Sequence, residues 1–173
     1  MKSILLIILL CSQLSYAQFF KADLMASGLT CSMCNLATQK QLESINFIDS
    51  VVPDLDLNAF HLYFNQKHEI DFGLIKMKVE DAGFFVAELK VSYTNNSTYR
   101  YSSPLLFLSQ DVLFIDKFKE QQALHVFKFI DEGFVTSKEL KKYRKLKKEM
   151  LLPINASDIP LLTNKKMYYV VEE

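Results

Sequence analysis

Cys31 and Cys34 are the residues with the most chemistry in this sequence. Two residues separate them in "GLTCSMC", Gly28 to Cys34. Thiolates, not thiols, bind metals and attack disulfides. The spacing therefore allows three chemistries: a clamp for a soft ion, a redox switch, or a disulfide that holds a loop. Two soft sulfurs with no His or acidic ligand nearby suit an ion that accepts few ligands, such as Cu(I). They do not complete a tetrahedral zinc site, which usually takes four ligands. His61 and His68 fall on a later strand and its following loop and are not read as ligands.

The elements around the pair read as β-α-β-β-α-β from Phe19 to about Val91. "FFKADLMASGL" is strand-like and ends at a turn glycine, Gly28. "CNLATQKQLESI" follows with Leu42 and Ile45 at i, i+3, a short amphipathic helix. Cys34 then falls in the first helical turn. There the unpaired N–H groups and the positive end of the dipole favour a thiolate. "FIDSVVPDL" reads as a strand, and Pro53, lacking an N–H, places it at a sheet edge. "AFHLYF" alternates, with Phe60, Leu62 and Phe64 on one face and His61 and Tyr63 on the other. Asp71 can cap a second helix with Ile75, Val79 and Ala82 on one stripe. Gly83 stands where that helix would end with φ > 0, and "FFVAELKVSY" closes the pattern.

With those motifs in place, the segment resembles the metal-binding loop of the heavy-metal-associated (HMA) domain family. That family is the small ferredoxin-like fold of copper chaperones and of the N-terminal domains of metal-transporting ATPases. Its pattern Gly-Met-Thr-Cys-x-x-Cys stands here as Gly28-Leu29-Thr30-Cys31-Ser32-Met33-Cys34, and "VEDAGFFV" matches the end of its second helix. The resemblance runs from roughly Lys21 to Lys90. It implies that Cys31 and Cys34 are the metal ligands. It further implies that Thr30 shapes the loop and that Phe84 stands beside it and shields the site. Leu29 replaces the family's methionine under the loop, a near-volume-conserving exchange. Met33 could lend a thioether to Cu(I) or serve as a surface and partner contact. The implied cargo is Cu(I) first, with Zn, Hg and Cd ions also thiophilic. The implied partner is a metal-donor or metal-acceptor protein that exchanges ligands with the pair.

The 173-residue chain is half apolar, with 20 basic and 20 acidic residues. That balance gives no argument for nucleic acid or a strongly acidic ligand. "MKSILLIILLCSQLSYAQ" reads as a secretory signal peptide, residues 1–17, cleaved after Ala17. Cleavage removes Cys11 and leaves one CxxC in the mature chain, so disulfides do not build this fold. The signal style and the family resemblance point to export, with a bacterial periplasm as the destination. In that setting the two thiols can oxidise to a disulfide, which holds no ion.

The expected organisation is α+β: a ferredoxin-like βαββαβ domain over 18–93, a linker over 94–104, and a second small α+β domain over 105–173. In the last, "LLFLSQDVLFI", "ALHVFKFI" and "KMYYVVEE" read as strands, and an open barrel is one arrangement for them. "VTSKELKKYRKLKKEML" opens on a capping box, Thr136 with Glu139, and carries an apolar stripe of Leu140, Tyr143, Leu146 and Met150. Seven of the eleven residues 138–148 are Lys or Arg. Such a run is either a solvated helix face or a dock for anionic lipid or an acidic partner. Membrane contact is expected only there. His125, within an apolar strand, reads as a core-edge residue. Asn95, Asn96 and Asn155 begin glycosylation sequons.

Three functions remain open from sequence. The first is metal binding by an exported, non-enzymatic protein. The second is an interaction module with a structural Cys31–Cys34 disulfide. The third is a thiol–disulfide oxidoreductase, against which stands the lack of an aromatic-Cys-Gly-Pro-Cys motif and of a proline facing the sulfurs.

Overall fold

A computed structural model describes residues 18–29, 31–65, 67–94, 106–107, 112–114, 124–151 and 167–173. The segment read as a signal peptide, the stretch beyond Thr94 read as a linker, Thr30 and the three sequons lie outside them.

Within residues 18–94 the chain forms β1 (Gln18–Ser27), α1 (Ser32–Glu43), β2 (Ile48–Asp54), β3 (Ala59–Phe64), α2 (Phe72–Asp81) and β4 (Phe85–Thr94). The order of these strands in the sheet is β2-β3-β1-β4, all pairs antiparallel. This is the interleaved βαββαβ arrangement of ferredoxin-like folds. The local signals act as expected. Pro53 lies in β2, at the sheet edge, where no neighbour needs its missing N–H. Asp71 caps α2 by accepting from the Leu74 N–H at 3.1 Å. Gly83 ends that helix at φ +88°. In β3, Phe60, Leu62 and Phe64 are buried while Tyr63 is exposed. Ile45 falls just past α1, which Ser44 terminates by donating to the Gln41 carbonyl, yet it is buried all the same.

The remaining strands are β5 (Leu106–Phe107), β6 (Val112–Phe114), β7 (Leu124–Phe129) and β8 (Tyr168–Glu172), with α3 (Ser137–Leu151) between the last two. They do not close into a barrel of their own. β7 pairs antiparallel with β4, and the sheet continues β4-β7-β8-β6-β5, with β6 and β8 parallel. The two halves of the chain therefore share one sheet.

They also share one core. Phe72, the first residue of α2, is almost fully buried. Its ring lies 5.4 Å from Phe19 and 6.3 Å from Phe64 in the first half. It lies 4.6 Å from Phe129 and 6.5 Å from Tyr168 in the second. The contacts are edge-to-face or tilted, at the centroid separations aromatic pairs favour. His125, read as a core-edge residue, is buried and packs parallel to Phe127. Its Nδ1 lies 2.9 Å from Glu172.

The alternation of β7 and β8 sets what covers the other face. Tyr168 and Val170 enter the main core, so Tyr169 and Val171 point the opposite way. There α3 lays Tyr143 and Leu146 against Ile130 and Val171. Thr136 and Glu139 form the expected cap, the Glu139 N–H donating to the Thr136 hydroxyl at 3.4 Å.

Lys128 anchors the same helix. Its ammonium donates to Glu88 on β4 and, at 2.8 Å, to Glu139 on α3. Lys90 adds a bridge to Glu88 at 2.9 Å. Burial alone would raise the Glu88 pKa, but the hydrogen bonds from Lys128 and Lys90 outweigh it and leave the carboxyl below its ordinary 4.5. The Lys128 hydrogen bond lowers Glu139 as well. Depressed carboxyl pKa values stabilise the fold above the ordinary value, and that contribution is lost as pH falls through the depressed one. Lys128→Met leaves Glu88 with Lys90 alone and is expected to cost about 1–2 kcal/mol near neutral pH. Urea unfolding at a series of pH values checks this. The gap between wild type and variant should shrink as pH falls below the ordinary carboxyl pKa.

Candidate metal centre

The Cys31–Cys34 loop sits where β1 ends and α1 begins. Gly28 turns the chain at φ +89°, a conformation that L side chains rarely adopt. A Cβ there would stand 3.5 Å from the Phe84 ring. Phe84 thus lies beside the loop, half-buried and packed on the core. Leu29 is buried beneath, as the resemblance implied.

Cys31 is the N-cap of α1. Its Sγ accepts the Cys34 N–H at 3.2 Å, and its carbonyl accepts the Asn35 N–H at 3.1 Å. Cys34 is in the first turn, half-buried against the core, whereas Cys31 is exposed. The two Cα atoms are 5.3 Å apart and the sulfurs are bonded to each other. The pair is therefore described in its oxidised, disulfide state. Both sulfurs converge on one exposed point above a helix N-terminus. No charged residue lies between Asp23 and Lys40 in the sequence. The local electrostatic field in this segment comes from the N–H groups and the helix dipole, and both favour thiolates once the bond is reduced.

Met33 is 71% exposed. Leu36 and Phe85 are also exposed. His61 stands apart from the pair's loop, its Nδ1 2.6 Å from Asp23 on the neighbouring strand. Among the described residues no group of three or more His, Cys, Asp or Glu is placed to hold an ion. The donor set is the two sulfurs, which matches a thiophilic ion of low coordination number and not a structural zinc site.

No family model and no curated protein matches the sequence. Some solved structures resemble part of it. One is a CopZ metallochaperone, 21% identical over 39% of this chain and 98% of its own, with a TM-score of 0.36. A second is the yeast copper transporter domain Ccc2a, described in apo and Cu(I)-loaded states. It is 25% identical over 38% of this chain and 88% of its own, at a TM-score of 0.34. A third is the N-terminal domain of a potential copper-translocating P-type ATPase from Bacillus subtilis in the Cu(I)-loaded state. It is 23% identical over 49% of this chain and all of its own, at a TM-score of 0.36. At such scores the functional reading rests on this chain's own residues.

Two residues that support the loop were not singled out from the sequence. Thr38 is fully buried and donates from Oγ1 to the Cys34 carbonyl at 3.1 Å. Asn35 is buried and donates from Nδ2 to the Cys31 carbonyl at 3.4 Å. With Leu42 they form the inward stripe of α1 at i, i+3 and i+7. That spacing was the available signal. It is hidden because polar residues occupy two of the three positions.

Proposed function

We propose that the protein binds a soft metal ion, Cu(I) foremost, through the Cys31 and Cys34 thiolates, and passes it to a partner by ligand exchange. The convergence of both sulfurs on one exposed point at the N-terminus of α1 carries this reading. Two thiolates leave a Cu(I) ion open to attack by a partner's thiolates, so exchange proceeds through a shared intermediate without a free ion. The exposed Met33 and Leu36 offer a partner contact surface beside the loop. Ion handover, not catalysis, is the role, and export after removal of residues 1–17 belongs to the same reading.

Loading requires the reduced pair. Breaking the Cys31–Cys34 bond takes two electrons and two protons from a thiol reductant and gives two thiols. Metal binding then releases the thiol protons. The bond in the structure supports a second reading, an interaction module in which the disulfide only holds the loop. Native mass spectrometry separates the two. The anaerobically reduced protein, offered Cu(I), Zn(II) and Cd(II) in turn, should take up one Cu(I) per chain, and the oxidised protein none. A reduced protein that takes up no ion favours the module.

A further inference from the structure

The basic helix divides cleanly into two faces. Its inward side is used: Tyr143 and Leu146 pack on the sheet, Glu139 holds Lys128, and Lys147 bonds Asp131 at 3.2 Å. The Lys147 ammonium also lies 3.2 Å from the centre of the Tyr169 ring. Lys138, Lys141, Lys142, Lys145 and Lys148 recur at i, i+3, i+4, i+7 and i+10, and all are exposed. Arg144 flanks them at 66% side-chain exposure, and Lys145 reaches 82%. Among the described residues, two exposed carboxylates pair with these cations, Glu132 at 3.6 Å from Arg144 and Glu149 at 3.8 Å from Lys145. In a chain whose charges balance overall, this stripe concentrates positive charge on one face.

We propose that the outer face of α3 adsorbs the protein to an anionic lipid surface. Two observations favour lipid over an acidic protein. The stripe is lysine-rich, with one arginine at its flank. Lysine supplies mobile point charges, whereas protein carboxylates are gripped best by the planar arginine fork. Among the described side chains of residues 137–149, none of the exposed ones is a large aromatic or aliphatic anchor. Protein interfaces centre on such anchors and are depleted in lysine. Tyr143 and Leu146 pack on the sheet, so the lysine face meets the headgroups by charge. This is the electrostatic mode of polybasic segments, which salt screens within a Debye length.

The purified full chain is to be sedimented with phosphatidylcholine vesicles with and without phosphatidylglycerol, at low and at physiological salt. Polyglutamate serves as a soluble acidic competitor. Binding is expected only with phosphatidylglycerol present, and it should weaken as salt rises. Each lysine near the surface is worth about fivefold in partitioning. Lys141→Glu with Lys145→Glu removes four charges in sum and should weaken binding by about a hundredfold or more. Lys141→Arg with Lys145→Arg should retain it. Circular dichroism melting verifies that each variant is folded, and the salt dependence of the wild type tests the idea without any substitution. Equal binding to pure phosphatidylcholine, no binding to either vesicle, or full binding by the folded Glu variant would each overturn the proposal. Tight binding to polyglutamate with none to vesicles would overturn it in favour of an acidic protein partner.

Discussion

Replacing Phe72 with alanine is expected to destabilise the whole chain by about 3–5 kcal/mol, the cost of deleting a buried aromatic side chain. The effect should be this large because the cavity has rigid walls. The ring meets Phe19, Phe64, Phe129 and Tyr168, which come from β1, β3, β7 and β8 and are fixed by their strand pairings. Strands locked in one sheet collapse poorly into a void, so the loss of packing adds to the loss of burial. Phe129→Ala should act likewise, although it lies in the second half of the chain. Denaturant unfolding followed by far-ultraviolet dichroism and by tyrosine fluorescence would show one coincident transition for wild type and both variants, shifted to lower denaturant. Two separate transitions, with only the later-sequence half affected by Phe129→Ala, would mean that the halves fold independently. A chain ending after Thr94 should be unstable for the same reason, since β4 would lose its partner β7 and Phe72 half of its cage.

Reduction of Cys31 and Cys34 is expected to produce the largest change in ligand affinity. Joined to each other, the sulfurs have no charge to offer an ion. Reduced, they form a chelate whose second arm binds at high effective concentration, worth about 10²–10⁴-fold over one thiolate alone. Cys31→Ser and Cys34→Ser should each lose that factor, and the double variant should lose specific binding. The two single variants should differ in stability. Cys34 packs on the core, whereas Cys31 is exposed and caps the helix, a role that serine fills well. Cys31→Ser should therefore keep the melting temperature of the reduced protein more closely than Cys34→Ser. Thermal melts of the reduced proteins, beside a Cu(I) competition assay, read both effects.

Much of the first half was legible because its signals are local. Pro53 needs an edge, Asp71 and Thr136 need a helix start, Gly83 needs a left-handed residue, and "AFHLYF" shows its two faces within six residues. What the sequence did not disclose depends on distant partners. Nothing in "ALHVFKFI" says that its strand will join the free edge of β4. Edge pairing is set by complementarity between surfaces far apart in the chain. Nothing local in "ALHVFKFI" marks Lys128 as buried. Its burial becomes tolerable only because Glu88 and Glu139, 40 and 11 residues away, meet its ammonium. Asn35 and Thr38 were overlooked for a related reason. A helix stripe is found by its apolar residues, and these two are polar side chains that donate to carbonyls one turn back. The stripe of α3 was visible from Leu140, Tyr143 and Leu146, but its docking surface, Ile130 and Val171, was not.

The central claim is that the thiolate pair holds a soft ion, and an anaerobic Cu(I) titration of the reduced protein against a chromophoric Cu(I) chelator tests it most directly. The account predicts removal of one Cu(I) from the chelator per chain, abolished by prior oxidation and by the double serine variant. Failure of the fully reduced, folded protein to withdraw any Cu(I), with both thiols titrating as free, would contradict it.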